Sequence, residues 1–429
     1  MAATGVIAVF DIGKTNKKIF LLDESYQIVH EQQTVLTQSI DEDGFPMEDI
    51  ELLCGWMRET MQEISRNTAF RVAALQFSAY GASLVYLDES GKPVFPLYNY
   101  LKPYPDALAQ SLYQANGGKA RFSCQTSSPA LGSLNSGLQL YRLKKEQPEK
   151  FSMVHRVLHL PEFCSFLFSG IAKSGLTSIG CHTALWDFTQ WEYHAWVAEN
   201  EIKNLLAPIS LDNAPVHDQD EKKHWVTGTG LHDSSAALVP YLRSGGNDFL
   251  LLSTGTWNIS LHPFNDAPLT DEELENDCLF YISPYGKPVK AARFFAGNQH
   301  ERMISTLAER HRQSISYFQE MGNHPIEELI SSEGADYLIE MQKLVSGQVK
   351  SMQWLMQNQP VERIYVDGGF SKNLPFMQTL ANALPSIQIY ASAVSQGSAK
   401  GAAMFMHEAW NPRPLPNNVL ELIPYDPKL

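Results

Sequence analysis

Short apolar runs alternate with turn residues over the first part of the chain, and they predict strands before anything else. Residues 5 to 23 read as two strands on either side of D-I-G-K-T-N, and Gln27 to Thr34 adds a third in a meander. The pattern then changes period. From Pro46 to Asn67, Ile50, Leu53, Met57, Met61 and Ile64 recur at helical spacing, predicting an amphipathic helix that starts near Pro46. Arg71 to Ser78 returns as a strand, followed by a hairpin of Ser83 to Asp88 with Val94 to Leu97. Helices are expected near 104 to 115, 135 to 146, 160 to 168 and 191 to 203.

The second half repeats the opening motif. F-L-L-L-S-T-G-T-W-N-I-S-L after residue 248 is again strand, turn and strand, with helices expected around 298 to 311 and 325 to 358. Arg363 to Val366 reads as a strand, D-G-G-F-S-K-N at 367 to 373 as a tight connection, and residues from about Ser395 to Trp410 as a small-residue helix. Strands mixed with helices in this order make an α/β protein with mixed sheets. At 429 residues the chain exceeds what one core usually supports. Two domains are expected, 1–229 and 230–429, joined close to Gly228-Thr-Gly230.

Composition narrows the class. Hydrophobic residues make up 44% and charged residues 19%, and no apolar run reaches the roughly 20 residues that span a bilayer. The first residues carry no basic, apolar leader pattern. Five cysteines, scattered and without a C-x-x-C pair, speak against a disulfide framework or structural zinc and fit a reducing cytoplasm. A net charge of −14 disfavours nucleic acid and anionic lipid as partners. His155 and His159 stand four apart in an apolar strand pattern rather than a metal helix, and His217, Asp218, Asp220 and His224 read as a solvated loop. The acidic Asp41, Glu42 and Asp43 likewise read as exposed surface.

The two turns carry the first chemistry. Gly13 and Gly255 let backbone N–H groups approach an anion, the hydroxyls of Thr15, Thr254 and Thr256 add donors, and Lys14 adds charge, so both turns suit phosphate. The glycines of D-G-G-F-S-K-N, at a helix start, admit a flat base or a phosphate, and Ser371 or Asn373 equally suits a helix cap. In G-L-H-D-S-S-A-A at 230 to 237, Asp233 reads either as a base toward a hydroxyl or as a helix N-cap.

Together these motifs resemble the FGGY family of carbohydrate kinases, nearest its rhamnulokinase and fuculokinase branch. D-I-G-K-T-N is similar to that family's first phosphate loop, S-T-G-T-W to its second, D-G-G-F-S-K-N to its adenosine motif and L-H-D-S-S-A-A to its catalytic segment. P-E-F-C-S-F-L-F-S-G at 161 to 170 resembles its P-D-Y-x-x-F-x-L-T-G helix. The resemblance implies two actin-like (ribonuclease H-like) ATPase domains around an interdomain cleft, the first binding sugar and the second nucleotide. It implies ATP and Mg2+ as cofactors, a small sugar as the substrate, and a homodimer as one assembly to expect. By this resemblance Asp233 is the general base and Asp11 the magnesium residue. Gly13, Lys14, Thr15, Asn16 and Lys18 would face phosphate, as would Thr254, Gly255 and Thr256, while Gly368, Gly369 and Asn373 would border adenosine. Tyr80, Gly81, His232 and Asn298 would touch the sugar.

Two departures bear on the substrate. Y-N-Y-L-K at 98 to 102 stands where the family often has W-x-D-x-R, so Tyr100 replaces a carboxylate and Lys102 an arginine, both at expected sugar-contacting positions. Lys14 stands where threonine is usual. Losing a hydroxyl-binding carboxylate reshapes selectivity. The resulting expectation is transfer of the γ-phosphoryl group of ATP to a small sugar, a 6-deoxyketohexose or a ketopentose. A polyol kinase and an actin-like nucleotide-binding module without kinase activity are the other readings.

Overall fold

The structure is a computed structural model that describes residues 3–210, 224–244, 246–392, 396–416 and 419–428. The chain divides into two compact units, one of Met1–Val239, Phe280–Lys287 and Gln396–Asn417, the other of Pro240–Leu279, Pro288–Ser395 and Asn418–Leu429. The division does not follow the single cut expected after residue 229. Leu231–His232 pairs in parallel with Phe70–Ala79, which ties the segment around Asp233 to the first unit.

The first unit is built on a sheet in the order Val226–Thr227, Phe70–Ala79, Thr4–Ile12, Lys17–Asp23, Ile28–Thr34. Thr4–Ile12, Lys17–Asp23 and Ile28–Thr34 pair antiparallel as the three-strand meander predicts, and Thr4–Ile12 also runs parallel to Phe70–Ala79. Val6, Ala8, Phe10 and Ile12 lie fully buried on one face, against the Ile50–Arg66 helix that contributes Leu53, Met57, Met61 and Ile64. That helix starts later than its sequence pattern implied. Pro46–Glu48 is a short strand, and the Asp49 side chain caps the helix by accepting from the Glu51 and Leu52 amides.

Residues 98 to 206 wrap a second, aromatic core around Tyr86, Phe95, Tyr98, Phe122 and Trp196. The hairpin expected over 83 to 97 is mostly replaced. Leu84–Leu87 pairs with Arg156–His159, while near the turn the Asp88 amide bonds the Lys92 carbonyl, the Val94 amide bonds the Tyr86 carbonyl and Leu87 bridges Pro93. The helix expected over 191 to 203 is shorter, Ala195–Glu199, and Lys119–Thr126 is helical with too few apolar positions to signal it. The Asp41 carboxylate, expected in water, is buried against Lys102 at 2.6 Å. His217, Asp218 and Asp220 lie outside the described residues.

The second unit repeats the motif. Phe249–Thr254 is antiparallel to Asn258–His262 and parallel to Arg363–Gly368, with Gln388–Ser392 parallel beyond and Pro288–Phe294 antiparallel on the other side. Helices Ala296–His311, Ser332–Met356 and Leu374–Ala383 accompany this sheet. In each unit, then, a turn between antiparallel strands stands beside the carboxyl end of a parallel neighbour. Ligands of open α/β sheets bind outside those ends.

Candidate active site

In the first unit the strand ends bring the expected acidic residues together. Asp11 pairs with Ser78 across the parallel strands, Leu231 pairs with the same Ser78, and Asp233 follows two residues later. Asp233 opens the helix Asp233–Ala237, where the positive end of the peptide dipoles favours its ionised form. Its Oδ1 accepts from the Ser234 amide at 2.6 Å and lies 3.3 Å from the Ser234 hydroxyl. The side chain keeps 37% of its surface exposed, so the carboxylate is cradled on one side and open on the other.

Burial raises the Asp233 pKa to about 6, with the Ser234 bonds offsetting part of the shift. Asp11 is also raised to about 6, first by burial and then by the charge of Asp233, while the Ser398 hydroxyl donates to its Oδ2 at 3.0 Å. Both carboxylates therefore titrate where a general base is useful, and each disfavours the other's charge. Ser398 lies on the helix Gly397–Phe405, whose small residues Gly401, Ala402 and Ala403 are buried where it packs on the central strands and the Asp233 helix.

The other residues expected in this unit separate into three settings. His232 and Gly81 pack against each other: a Cβ on Gly81 would stand 2.9 Å from the His232 ring and 3.0 Å from Cys181 Sγ. His232 is only 4% exposed, and burial lowers its pKa to about 4, so the ring is neutral. Lys14 turns toward Glu48, at 3.2 Å, and toward the rings of Tyr80 and Tyr100, 5.2 and 5.1 Å from Nζ. Burial lowers its pKa, with Glu48 restoring part. Lys17, at 3.0 Å from Glu48 and bonded to the Gly13 and Lys14 carbonyls, fixes the same turn from behind. Thr15 and Asn16 are exposed at its tip, closed by the Gly13 amide on the Asn16 carbonyl, and Lys18 lies 3.5 Å from Glu31.

Lys102 belongs to neither group. Its ammonium lies 2.6 Å from Asp41, 2.8 Å from Asp43 and over the Tyr98 ring, whose hydroxyl donates to Glu42. The charge is consumed inside the aromatic subdomain. Tyr100 instead stands at the carboxylate cluster: its pKa is raised by burial and by the charges of Asp233 and Glu48. The two departures Lys14 and Tyr100 thus face one another, which no local pattern in the sequence signals.

In the second unit Gly255, Thr256, Gly369, Phe370 and Asn373 line one cavity of about 580 Å3, together with Gly297, His300 and Gln319. That volume lies within the range of small-molecule and cofactor sites. Gly297, at the start of its helix, has its backbone against the turn: a Cβ there would stand 2.2 Å from the Gly255 carbonyl oxygen. Thr254 differs from the expectation of a phosphate-facing hydroxyl. Its Oγ1 donates to the Asp367 carbonyl and accepts from the Phe370 amide at 2.9 Å, so it clasps the hairpin to the glycine turn. Gly368, at φ +84°, completes the clasp, since a Cβ would stand 2.0 Å from the Thr254 carbonyl oxygen. Asn373 does cap the following helix, accepting from the Phe376 amide, and its Nδ2 donates to Tyr337 while the residue lines the cavity. Asn298 lies one residue after Gly297, with its Oδ1 buried and without a partner. Gly297 and His300 had no role assigned from the sequence. A glycine opening a helix was a signal for the first, and nothing local signals the second.

Residues 6–201 match the N-terminal domain of the FGGY family of carbohydrate kinases, and residues 246–332 match its C-terminal domain. The chain belongs to the FGGY family. Among relatives, the rhamnulokinase of Halalkalibacterium halodurans is 23% identical over 258 residues, covering 58% of this chain and 52% of that protein. The rhamnulokinase of Klebsiella pneumoniae is 24% identical over 285 residues, covering 60% and 55%. These matches span about half the length of those relatives. Among solved structures, a carbohydrate kinase from Novosphingobium aromaticivorans superposes with a TM-score of 0.82 at 22% identity, over 99% of this chain and 95% of that one. Xylulose kinase from Lactobacillus acidophilus gives 0.81 at 15% identity, over 99% and 94%. The fold is the two-unit actin-like fold of those FGGY proteins. No helix among the described residues is long and apolar enough to cross a membrane, and none of their His, Cys, Asp and Glu residues form a cluster of three that could hold a metal.

Proposed function

We propose that this protein is an ATP-dependent sugar kinase that transfers the γ-phosphoryl group to a hydroxyl of a small sugar. The observation that carries this reading is Asp233: a carboxylate at a helix start, raised to about 6 and exposed on one side only. Such a group accepts the acceptor hydroxyl's proton as its oxygen attacks the γ-phosphorus. The bond to the β-phosphate oxygen breaks, giving a sugar phosphate and ADP. Gly255, Thr256, Gly297 and Gly369 present backbone and hydroxyl to the nucleotide, and the cavity reaching Phe370 and Asn373 takes its nucleoside.

Asp11 fits the magnesium role the family implies. Mg2+ is commonly held by one or two carboxylates together with substrate phosphates, and Asp11 and Asp233 oppose each other's ionisation. A divalent cation held by Asp11 would relieve that repulsion and neutralise charge on the transferring phosphoryl group. The relatives' names, rhamnulokinase and xylulose kinase, support a ketose, either a 6-deoxyketohexose or a ketopentose. Tyr100, close enough to Asp233 to feel its charge, offers an aromatic ring to the carbon skeleton of such a sugar. Five scattered cysteines with no C-x-x-C pair fit a reducing cytoplasm.

The deciding measurement is ATP consumption with magnesium and a panel of ketopentoses, 6-deoxyketohexoses and polyols. Strong stimulation by one ketose with stoichiometric sugar phosphate is expected. A polyol as the best acceptor would move the substrate class, and nucleotide binding with no acceptor in the panel turned over would leave a nucleotide-binding module.

A further inference from the structure

Three strands of the first unit end in register. Ile12 pairs with Ala79, Ala79 pairs with His232, and the Tyr80 amide donates to the Ile12 carbonyl at 3.1 Å. The residues that follow them, Gly13 and Lys14, Tyr80 and Gly81, and Asp233, therefore emerge side by side. Lys14 lies against this edge: its ammonium is 5.2 and 5.1 Å from the Tyr80 and Tyr100 ring centres and 3.2 Å from Glu48 Oε1.

Glu48 is shared by two lysines. Its Oε2 lies 3.0 Å from Lys17, which is buried and bonded to the Gly13 and Lys14 carbonyls, so Lys17 alone suffices to neutralise it. Lys14 is then a second cation on one carboxylate. The neighbouring Asp49 spends its oxygens on the Glu51 and Leu52 amides and the Ser39 hydroxyl. The Lys14 side chain keeps 22% of its surface exposed, against 6% for Glu48. A ligand arriving here meets the ammonium and not the carboxylate.

That order of exposure selects a kind of oxygen. An ammonium has three N–H donors and no acceptor, and its bonds are strongest to an oxygen that carries negative charge. A sugar hydroxyl in the same place would accept from Lys14 and then need an acceptor for its own proton, while both Glu48 oxygens are buried. A carbonyl or carboxylate oxygen brings no proton to place.

We propose that Lys14 is a specificity-determining residue for the acceptor, and that the group it holds is an oxo oxygen, the carbonyl of a ketose or the carboxylate of a sugar acid. This rests on the kinase reading: Asp233 meets the hydroxyl to be phosphorylated, and Lys14 meets the oxo group elsewhere on the same molecule. It moves Lys14 from a phosphate contact to an acceptor contact.

Two matched sets of probes test it with the full chain: xylulose, xylitol and xylonate, and rhamnulose, rhamnitol and rhamnonate. In calorimetric titrations without nucleotide, the wild type is expected to bind the ketose or the acid of one set about tenfold or more tighter than its polyol, and the order of ketose and acid tells the two sources apart. Lys14→Met keeps the unbranched stem and leaves Glu48 paired with Lys17. It should weaken binding of the oxo ligand about 10- to 100-fold, the loss of one charge-assisted hydrogen bond, and change the polyol by less than about threefold. Lys14→Arg should recover part of the loss. With ATP, kcat/KM for the oxo acceptor should fall by the same factor in Lys14→Met while KM for ATP holds. A polyol bound as tightly as its oxo partners, no binding of any probe, or an equal loss across a set in Lys14→Met would overturn the proposal. So would a raised KM for ATP with acceptor binding unchanged, which would return Lys14 to the phosphates. The binding arm needs no turnover, so a protein that holds the oxo ligands through Lys14 and phosphorylates none would fail the kinase reading alone.

Discussion

The two glycine turns resemble each other in sequence and differ in what they are made of. At Gly13–Asn16 the turn is surrounded by charge: Lys14 and Lys17 converge on Glu48, and Lys14 lies against Tyr80 and Tyr100. At Gly255–Trp257 it is surrounded by backbone: Thr254 is tied to Asp367 and Phe370, and Gly297 comes within contact of the Gly255 carbonyl. A turn held by ion pairs passes a substitution on to neighbouring charges, including the Asp11 and Asp233 pair at the same strand ends. A turn held by close backbone approach passes it on as shape. Side-chain changes in the first unit should therefore read out in kcat, and glycine changes in the second in nucleotide affinity.

The largest effect expected is from Asp233→Asn. Removing the base should lower kcat by about 10²- to 10⁴-fold, while ATP titrated calorimetrically binds as in the wild type. Near-normal turnover would remove Asp233 from the chemistry. A break within the first unit comes next. Lys102→Met strands the buried Asp41 carboxylate and should cost about 3 kcal/mol in denaturant unfolding, as removal of one partner of a buried pair does. KM for the acceptor should hold, and a selective rise in it would return Lys102 to the sugar site. Smaller again, Gly297→Ala places a methyl against the Gly255 carbonyl and should weaken ATP binding by about 1–3 kcal/mol, with kcat at saturating ATP retained.

What could be read from the chain follows the range of the interactions. The two hairpins and the Ile50–Arg66 helix face rest on local periodicity and are legible there, whereas Asp11 and Asp233 are brought together only by the pairing of both their segments with Phe70–Ala79. Cys181 and His232 are 51 positions apart and Asp41 and Lys102 are 61 apart. Nothing local distinguishes such partners from solvated residues, so Asp41 reads as surface. Thr254 misleads for a related reason: a hydroxyl in a turn motif suits phosphate equally well until the strand beside it supplies the Asp367 carbonyl.

The comparison can also be sharpened away from both turns, at Glu162, a buried carboxyl of the first unit. Gly175 has its backbone against it, since a Cβ there would stand 2.2 Å from Oε1. Burial raises its pKa to about 8, the Ser178 hydroxyl and nearby amides offsetting only part. The unfolded chain loses this proton near pH 4.5, whereas the native protein keeps it to about 8, so the native state binds more protons in between. Stability therefore falls as pH rises across that window and levels off above it. Glu162→Gln replaces the protonated carboxyl with a neutral group of the same shape. The melting temperature of the variant should decline less between pH 5 and 8 than that of the wild type, by a few degrees. Some decline should survive, because Asp11, Asp233 and Asp367 are all raised to about 6 and act in the same direction. Parallel curves for the two proteins would show Glu162 ionising in the native state, and would place its titration with the exposed carboxylates instead.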